Sequence, residues 1–433
     1  MTLKEKIINR SAIVGVIGLG YVGLPLAIAF AESGFKVMGF DVRKVRVDAI
    51  NKGMSYINDI NPERVSWAIA DNLLEATKDQ SRISEVDIIC ICVPTPLTKV
   101  KEPDLSYVVY ESKKIAKYLR KGQLVILEST TYPGTTKQLV LPILEVSKLK
   151  CGIDFFLAYS PERVDSGNKD YGVLNTPKIV GGINLESTEL ARLFYSQVVK
   201  YVYPVASPEV AEMAKVFENV FRSVNIALVN ELAQLCHNMK VSVWDVIEAT
   251  STKPFGYMPF YPSVGVGGHC IPLDPYYLAN KAREYDFHIK FIELAAEINE
   301  HMPYYVGTLI SNALNRVGKS VGKSKIIILG VAYKKDIDDI RESPSLKLIE
   351  ILKGFGGTIE YNDPYVKRIQ ADDTLLYSKK LSQRWLSSAD CVVITVAHSV
   401  YDISEIVTHS KLVFDACGVT KGLGNKNIVR LGE

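Results

Sequence analysis

The chain has 433 residues, and at roughly 150 residues per domain that length excludes one small domain and predicts two or three. Apolar residues make up 47% and charged residues 23%, which excludes a disordered or collagen-like chain. With 51 basic and 48 acidic residues the formal charge is +3, too small an imbalance for a dedicated nucleic-acid binder.

The seven cysteines (Cys90, Cys92, Cys151, Cys236, Cys270, Cys391 and Cys417) are scattered and include no C-x-x-C pair. Neither a disulfide framework nor a zinc ribbon is indicated, no metal is expected, and a reducing cytoplasm fits best. From Ser11 to Ala31 no residue is charged, a length that would suit a membrane span. Gly15, Gly18, Gly20, Gly23 and Pro25 interrupt it, and no second such segment follows. It reads as a strand, a glycine turn and a buried helix of a soluble protein.

Along the first two hundred residues, strand-like runs at 13–17, 36–40, 86–93, 124–128, 155–159 and 178–181 alternate with helical stretches such as 107–119. Several runs are continuously apolar, as in strands buried on both faces of a parallel sheet. Ser207-Pro208-Glu209 then predicts a helix start: a serine cap, a proline at the first helical position and an acid in the first turn. A run without Gly or Pro continues to about residue 238, and more helical sequence follows around a loop at 254–275. Alternation resumes at 325–329, 358–361, 389–396 and 411–414. The predicted class is α/β, with two Rossmann-like doubly wound domains (1–206 and 319–433) joined by a long central helix and a helical domain (207–318). The two α/β domains read as distant architectural echoes of each other.

Gly18-Leu19-Gly20-Tyr21-Val22-Gly23 follows a predicted strand and opens a predicted helix. In that place the glycines serve a tight turn, backbone approach to a pyrophosphate and close helix–sheet packing. The phosphates would sit on amides at the positive helix end. The next strand ends at Asp41, eighteen residues after Gly23. An acid there suits the ribose hydroxyls and repels a 2′-phosphate, so NAD is expected over NADP; Arg43, Lys44 and Arg46 just beyond pull the other way. Pro94-Thr95-Pro96, Ser129-Thr130 and Ser160-Pro161-Glu162-Arg163 stand at further strand ends and would bring hydroxyls, a carboxylate and a guanidinium to one crevice.

On the long helix Glu212, Lys215, Asn219 and Arg222 share one face, and spacing alone favours a solvent face over a site wall. The loop Gly265-Val266-Gly267-Gly268-His269-Cys270-Ile271-Pro272-Leu273-Asp274 runs glycines directly into a cysteine, with a carboxylate four residues on. Such glycines leave a thiol accessible for nucleophilic chemistry, whereas Cys90 and Cys92 lie in an apolar run and read as core. In the C-terminal domain, Tyr333-Lys334 and Arg341 belong to a charged strand-end segment, equally a solvated face or a nucleotide site.

Together these residues resemble the nucleotide-sugar 6-dehydrogenase family, which includes the UDP-glucose and UDP-N-acetylhexosamine dehydrogenases. The resemblance runs through the chain in family order. It comprises Gly-Leu-Gly-Tyr-Val-Gly-Leu-Pro at 18–25, Val-Pro-Thr-Pro at 93–96, Glu-Ser-Thr at 128–130 and Pro-Gly-Thr-Thr at 133–136. Ser-Pro-Glu-Arg at 160–163, Lys215 and Asn219, Gly-Gly-His-Cys at 267–270 and the 333–344 segment complete it.

The resemblance implies an NAD-binding Rossmann domain, a long-helix dimerisation core (hence a homodimer) and a C-terminal domain that holds UDP. It implies oxidation of a sugar C6 alcohol to a carboxylate with two NAD⁺. Cys270 would capture the aldehyde as a thiohemiacetal, which becomes a thioester that water hydrolyses. Lys215 would stabilise oxyanions, Asn219 and Thr130 would position sugar and water, and Glu162 and Asp274 are candidate bases. Gly18, Gly20, Tyr21, Val22 and Gly23 would hold the cofactor with Asp41, Arg46, Thr95 and Thr130. Arg163, Val164, Lys215, Asn219 and Arg222 would hold the UDP-sugar with Gly267, Tyr333, Lys334 and Arg341. Ser-Pro-Glu-Arg points to N-acetylhexosamines. The 253–262 run and Cys-Ile-Pro-Leu-Asp are most similar to the UDP-N-acetylglucosamine enzymes, with the mannosamine enzymes next. Where many members offer a partner-subunit arginine, this chain offers Lys253. Rival readings are a UDP-glucose enzyme, a two-electron hydroxyacid-type dehydrogenase and a non-catalytic NAD sensor.

Overall fold

The charge-free segment after Ser11 folds as strand β1 (Ile13–Ile17), a glycine turn and the helix Gly23–Glu32, whose side chains are almost all buried. Among the described residues no helix is long and apolar enough to cross a membrane. The computed structural model describes residues 1–57, 60–98, 100–165, 167–168 and 170–433. It divides into two units, 1–218 with 276–287 and 219–275 with 288–433.

In the first unit β1 is joined by β2 (Lys36–Phe40), β3 (Leu74–Thr77), β4 (Ile88–Ile91), β5 (Leu124–Leu127), β6 (Phe156–Tyr159), β7 (Lys178–Gly182) and β8 (Val202–Pro204). The sheet order is β3-β2-β1-β4-β5-β6-β7-β8. The first six strands are parallel and follow the dinucleotide-binding order, with the switch point between β1 and β4. Strand β7 reverses, pairing antiparallel with β6, and β8 runs parallel to β7. Strand β4 is shorter than the apolar run 86–93. The Cys92 amide still donates to the Ile17 carbonyl (2.8 Å), and then the chain leaves the sheet at its carboxyl edge.

The helix Pro208–Met239 begins in the first unit and continues into the second. The second unit also holds the helices Val243–Ser251 and Lys290–Arg316. Its sheet contains β9 (Lys325–Leu329), β10 (Thr358–Asn362), β13 (Cys391–Ile394), β14 (Val413–Asp415) and β15 (Ile428–Arg430), all parallel. Strands β11 (Arg368–Ala371) and β12 (Thr374–Tyr377) form a separate antiparallel hairpin whose Ile369 and Ala371 pack into the same core. The order β10-β9-β13-β14-β15 places a second switch point between β9 and β13.

The two switch points are built alike. The Gly18 amide donates to the Phe40 carbonyl (2.8 Å), and the Gly330 amide donates to that of Asn362 (2.9 Å). A Cβ on Gly18 would lie 2.8 Å from the Cys92 carbonyl oxygen, and one on Gly330 2.4 Å from that of Val396. Both glycines have φ near +90° (+89° and +86°), where a side chain is strained in any case. Each sheet therefore opens a backbone-lined notch at its carboxyl edge.

Gly23 closes the first turn most tightly, since a Cβ there would lie 1.9 Å from the Gly18 carbonyl oxygen. Overpacking typically costs about 1–3 kcal/mol. Gly23→Ala is expected to lower the melting temperature and to weaken NADH binding in a fluorescence titration. Wild-type values for both would contradict the packing role.

Candidate active site

At the first switch point the Asp41 carboxylate accepts from the Leu19 amide (3.1 Å), the Arg43 amide (2.8 Å) and Arg46 Nη1 (3.0 Å). It thus sits beside the glycine turn, where a ribose would lie. Arg46, which the sequence set against an NAD preference, is paired with that same carboxylate and lies 5.5 Å from the Tyr56 ring centroid. Tyr21 is exposed at the tip of the turn, and Val22 precedes the first residue of the helix Gly23–Glu32. Notch, helix start and acid suit a dinucleotide.

The neighbouring strand ends are tied into one rim. Thr95 Oγ1 donates to the Thr130 carbonyl (2.7 Å), and Ser129 Oγ to that of Val93 (2.7 Å). Tyr277 donates its hydroxyl to the Thr95 carbonyl. Glu162 Oε1 accepts from the Arg163 and Val164 amides, both at 2.7 Å. The Arg163 guanidinium turns to Glu218 (2.6 Å) and to the Pro177 carbonyl (2.6 Å).

The long helix reverses the pattern that spacing favours. Glu212, Lys215 and Asn219 are 0%, 7% and 1% exposed, whereas Val210, Met213, Phe217 and Phe221 are 42–60% exposed. The polar stripe is the covered face because it has polar partners to meet. The Glu212 carboxylate accepts from the amides of Gly134 (2.5 Å) and Thr136 (2.8 Å) and from Thr136 Oγ1 (2.7 Å). These bonds clamp the turn that follows Thr130. Burial pushes the Glu212 carboxyl up to about 7, against the pull of those three donors.

A folded pKa above the ordinary 4.5 means that Glu212 contributes stability at low pH, lost as pH rises through about 7. Glu212→Gln removes the titration but sets an amide against one of two N–H donors, at a cost of about 1–3 kcal/mol. The melting-temperature advantage of wild type over this variant is expected to shrink between roughly pH 5 and pH 8. A constant gap would contradict the assignment.

In the second unit Asn219 Nδ2 donates to Asp274 Oδ2 and Arg222 Nη2 to Asn219 Oδ1, both at 2.5 Å. Further bonds hold the cysteine loop. Asn230, buried in the long helix, donates to Asn299 Oδ1 (3.0 Å) and accepts from the Ser263 amide (2.9 Å), fixing the loop's entry. The Gly268 amide donates to the Arg341 carbonyl (3.0 Å). A Cβ on Gly267 would lie 2.6 Å from Tyr333 Cβ, so the glycines let the loop lie directly on the 333–344 segment. Cys270 is half-buried, its Sγ 3.9 Å from His269 Nδ1, and its carbonyl accepts from the Asp274 amide (2.9 Å). Cysteine, Asp274, Asn219 and Arg222 are thereby linked to Gly267, Tyr333 and Arg341. Cys90 and Cys92, by contrast, are buried, and desolvation pushes their thiols well above the usual range.

Within the 333–344 segment the Tyr333 amide donates to the Asp339 carbonyl (2.9 Å), and the Arg341 Nε and Nη2 grip the Asp339 carboxylate (2.9 and 2.5 Å). Lys334 is half-exposed. Asp363, which sequence reasoning missed, occupies the place in the second sheet that Asp41 holds in the first. Its carboxylate accepts from the amides of Val331, Ala332, Tyr365 and Val366, at 2.8–3.1 Å. His398 Nδ1 accepts from the Asp336 amide (3.0 Å), so Nε2 carries the proton and donates to Asp363 (3.0 Å). Five donors fill this acid, leaving it nothing to offer a ribose. The equal register of Asp41 and Asp363 after their strands was the available signal.

The family of nucleotide-sugar enzymes matches the chain in three consecutive pieces. They are the NAD binding domain (12–199), the central domain (209–301) and the UDP binding domain (327–422) of the UDP-glucose/GDP-mannose dehydrogenase family. The chain belongs to this family. As a UDP-glucose/GDP-mannose dehydrogenase family member it is an NAD-dependent UDP-sugar dehydrogenase, an oxidoreductase. It is 36% identical over 417 residues to the UDP-N-acetyl-D-mannosamine dehydrogenase of Pyrococcus horikoshii, covering 94% of this chain and 96% of that one. It is 34% identical over 430 residues to the UDP-N-acetyl-D-glucosamine 6-dehydrogenase of Pseudomonas aeruginosa, covering 97% and 94%. The solved structure of the UDP-D-ManNAc dehydrogenase from Pyrococcus horikoshii matches with a TM-score of 0.88 at 34% identity, covering 97% of this chain and 99% of that chain. Family membership removes the hydroxyacid-type dehydrogenase and the non-catalytic sensor from the readings of the sequence.

Proposed function

We propose that this dehydrogenase oxidises the C6 hydroxyl of a UDP-N-acetylhexosamine, first of all UDP-N-acetylglucosamine, to the uronate through a covalent cysteine intermediate. The observation that carries the reading is the glycine loop that lays Cys270 against the 333–344 segment, with Asp274 and Asn219 bonded behind it. Residues 1–206 hold NAD⁺, residues 319–433 hold UDP, and residues 207–318 supply the cysteine loop. Two NAD⁺ molecules, bound in turn, would each accept one of the two hydrides that the alcohol-to-acid change releases.

The chain's own groups do the rest. The Cys270 thiolate adds to the C6 aldehyde and keeps it on the protein as a thiohemiacetal, then as a thioester. Lys215 stabilises the oxygen anions that form at C6. Asn219, held by Asp274 and Arg222, positions the sugar, and Thr130 positions water. Glu162 and Asp274 are the bases for that water. Tyr333, Lys334 and Arg341 bind UDP, together with Arg163, Val164 and Gly267. The exposed apolar row of the long helix, Val210, Met213, Phe217 and Phe221, supports a homodimer.

The Ser-Pro-Glu-Arg run and the 253–262 run support an N-acetylhexosamine, and relatives acting on both the gluco and the manno sugar are similar at comparable identity. UDP-N-acetylmannosamine is therefore the second reading. The test is kcat/KM for UDP-N-acetylglucosamine, UDP-N-acetylmannosamine, UDP-N-acetylgalactosamine and UDP-glucose, followed by NADH absorbance. The highest value is expected for UDP-N-acetylglucosamine. Activity confined to UDP-glucose would overturn the N-acetylhexosamine reading.

Cofactor choice follows from Asp41, whose carboxylate lies at the ribose end of the turn and would repel a 2′-phosphate. Asp41→Asn is expected to narrow the preference for NAD⁺ over NADP⁺, measured as the ratio of their kcat/KM values. An unchanged ratio would show that the preference lies elsewhere.

A further inference from the structure

Lys178 is a buried cation that none of the roles above uses. It is the first residue of β7, and because β7 runs antiparallel to β6, its start lies at the carboxyl edge of the sheet, beside the turn after β6. Its Nζ lies 2.6 Å from Glu128 Oε2, 3.3 Å from the Pro161 carbonyl oxygen and 3.7 Å from Glu162 Oε2. The Tyr195 ring centroid is 4.9 Å from the ammonium, and the Tyr195 hydroxyl donates to the other oxygen of Glu128. The Lys178 and Glu128 side chains are 6% and 0% exposed, and that of Glu162 is 17% exposed.

The other charged and titratable groups around the cluster do not compete for the ammonium. Cys90 and Cys92 carry thiols that burial keeps protonated, and the Arg163 guanidinium is turned to Glu218. Burial works against the charge on Lys178, but the two carboxylates outweigh it and hold its proton on. A buried ion pair is weak evidence for stability, because desolvation offsets the Coulomb gain. Glu128 alone would neutralise Lys178. The additional reach to the Pro161 carbonyl and to Glu162 ties the buried pair to the rim of the crevice.

We infer that Lys178 is a positioning residue for Glu162, its ammonium fastening the Pro161 carbonyl and the Glu162 carboxylate to a wall made of Glu128 and Tyr195. The inference rests on the reading of Glu162 as a base in thioester hydrolysis. In that step the water oxygen adds to the thioester carbon and one proton passes to Glu162. The C–S bond breaks, Cys270 leaves as thiolate, and the second proton is lost to solvent as the product acid ionises. A displaced Glu162 slows this step and leaves the earlier ones alone, so the thioester accumulates.

Lys178→Met alone would leave Glu128 buried without its cation and endanger the fold. The double variant Lys178→Met/Glu128→Gln removes both charges and keeps an acceptor for Tyr195. The full chain is mixed with NAD⁺ and the best sugar nucleotide of the panel above, and the NADH burst and the quenched intact mass are recorded. The double variant is expected to release two NADH per site in a burst, to carry the acyl adduct, and to turn over about 10²-fold more slowly. Lys178→Arg, which keeps the charge, is expected to reduce the adduct. Glu162→Gln runs in parallel and is expected to trap the same adduct. A trapped Glu162→Gln beside a double variant that turns over without adduct overturns the role of Lys178 and leaves the base reading standing. Glu162→Gln that turns over as wild type, without adduct, overturns the base reading and the inference with it. A double variant that is slow but shows neither burst nor adduct also overturns the inference.

Discussion

Cys270→Ser is expected to bind NAD⁺ and the UDP-sugar as wild type does while forming no detectable uronate. The physical reason is acidity. A thiol ionises near pH 8.5 in water, and a loop rich in backbone dipoles can lower that value, whereas a serine hydroxyl of similar shape stays protonated. The loop's form depends on Gly267 and Gly268 lying against Tyr333, contacts that the substitution does not touch. Binding and chemistry should therefore separate, with unchanged NADH and UDP-sugar titrations and no uronate by mass spectrometry. Cys90→Ser is the counterpart, because Cys90 is fully buried in β4 and its change should act on stability alone. Uronate formed by Cys270→Ser would remove Cys270 from the mechanism.

Lys215→Ala is expected to lower kcat about 10²–10³-fold, the usual loss when one group that stabilises an oxyanion is removed. The side chain is buried on the polar face of a helix that leaves Val210, Met213, Phe217 and Phe221 exposed. A folding role would predict a fall in melting temperature matching the fall in rate. The expected result is a large kcat effect with a small shift in melting temperature. Full activity at unchanged stability would show that Lys215 stands outside the reaction.

Much of the first sheet was legible in the sequence, because strands buried on both faces are written as unbroken apolar runs such as Ile88–Ile91. Strand β3 was not, since Leu74–Thr77 alternates buried and half-buried positions over four residues. Strand β8 was hidden by its own Pro204, which only an edge strand tolerates. The long helix misled spacing for a different reason. An amphipathic helix is normally read with its apolar side inward, and here Glu212 and Asn219 meet polar partners in the covered face. Family resemblance marked Lys215 and Asn219 where periodicity favoured solvent. Resemblance did not single out Asp363, His398 or Lys178. Their significance lies in contacts between residues far apart in the chain, as when Lys178 reaches Glu128 fifty positions back.

The count of electrons separates covalent capture at Cys270 from release of a free aldehyde. Oxidation of an alcohol to an acid removes two hydrides, and tethering at Cys270 would prevent escape of the aldehyde between them. NADH and sugar product are quantified together, by absorbance and by mass spectrometry, over a complete turnover of the wild-type enzyme. The expected result is two NADH for each uronate and no released aldehyde. One NADH for each released aldehyde would contradict it.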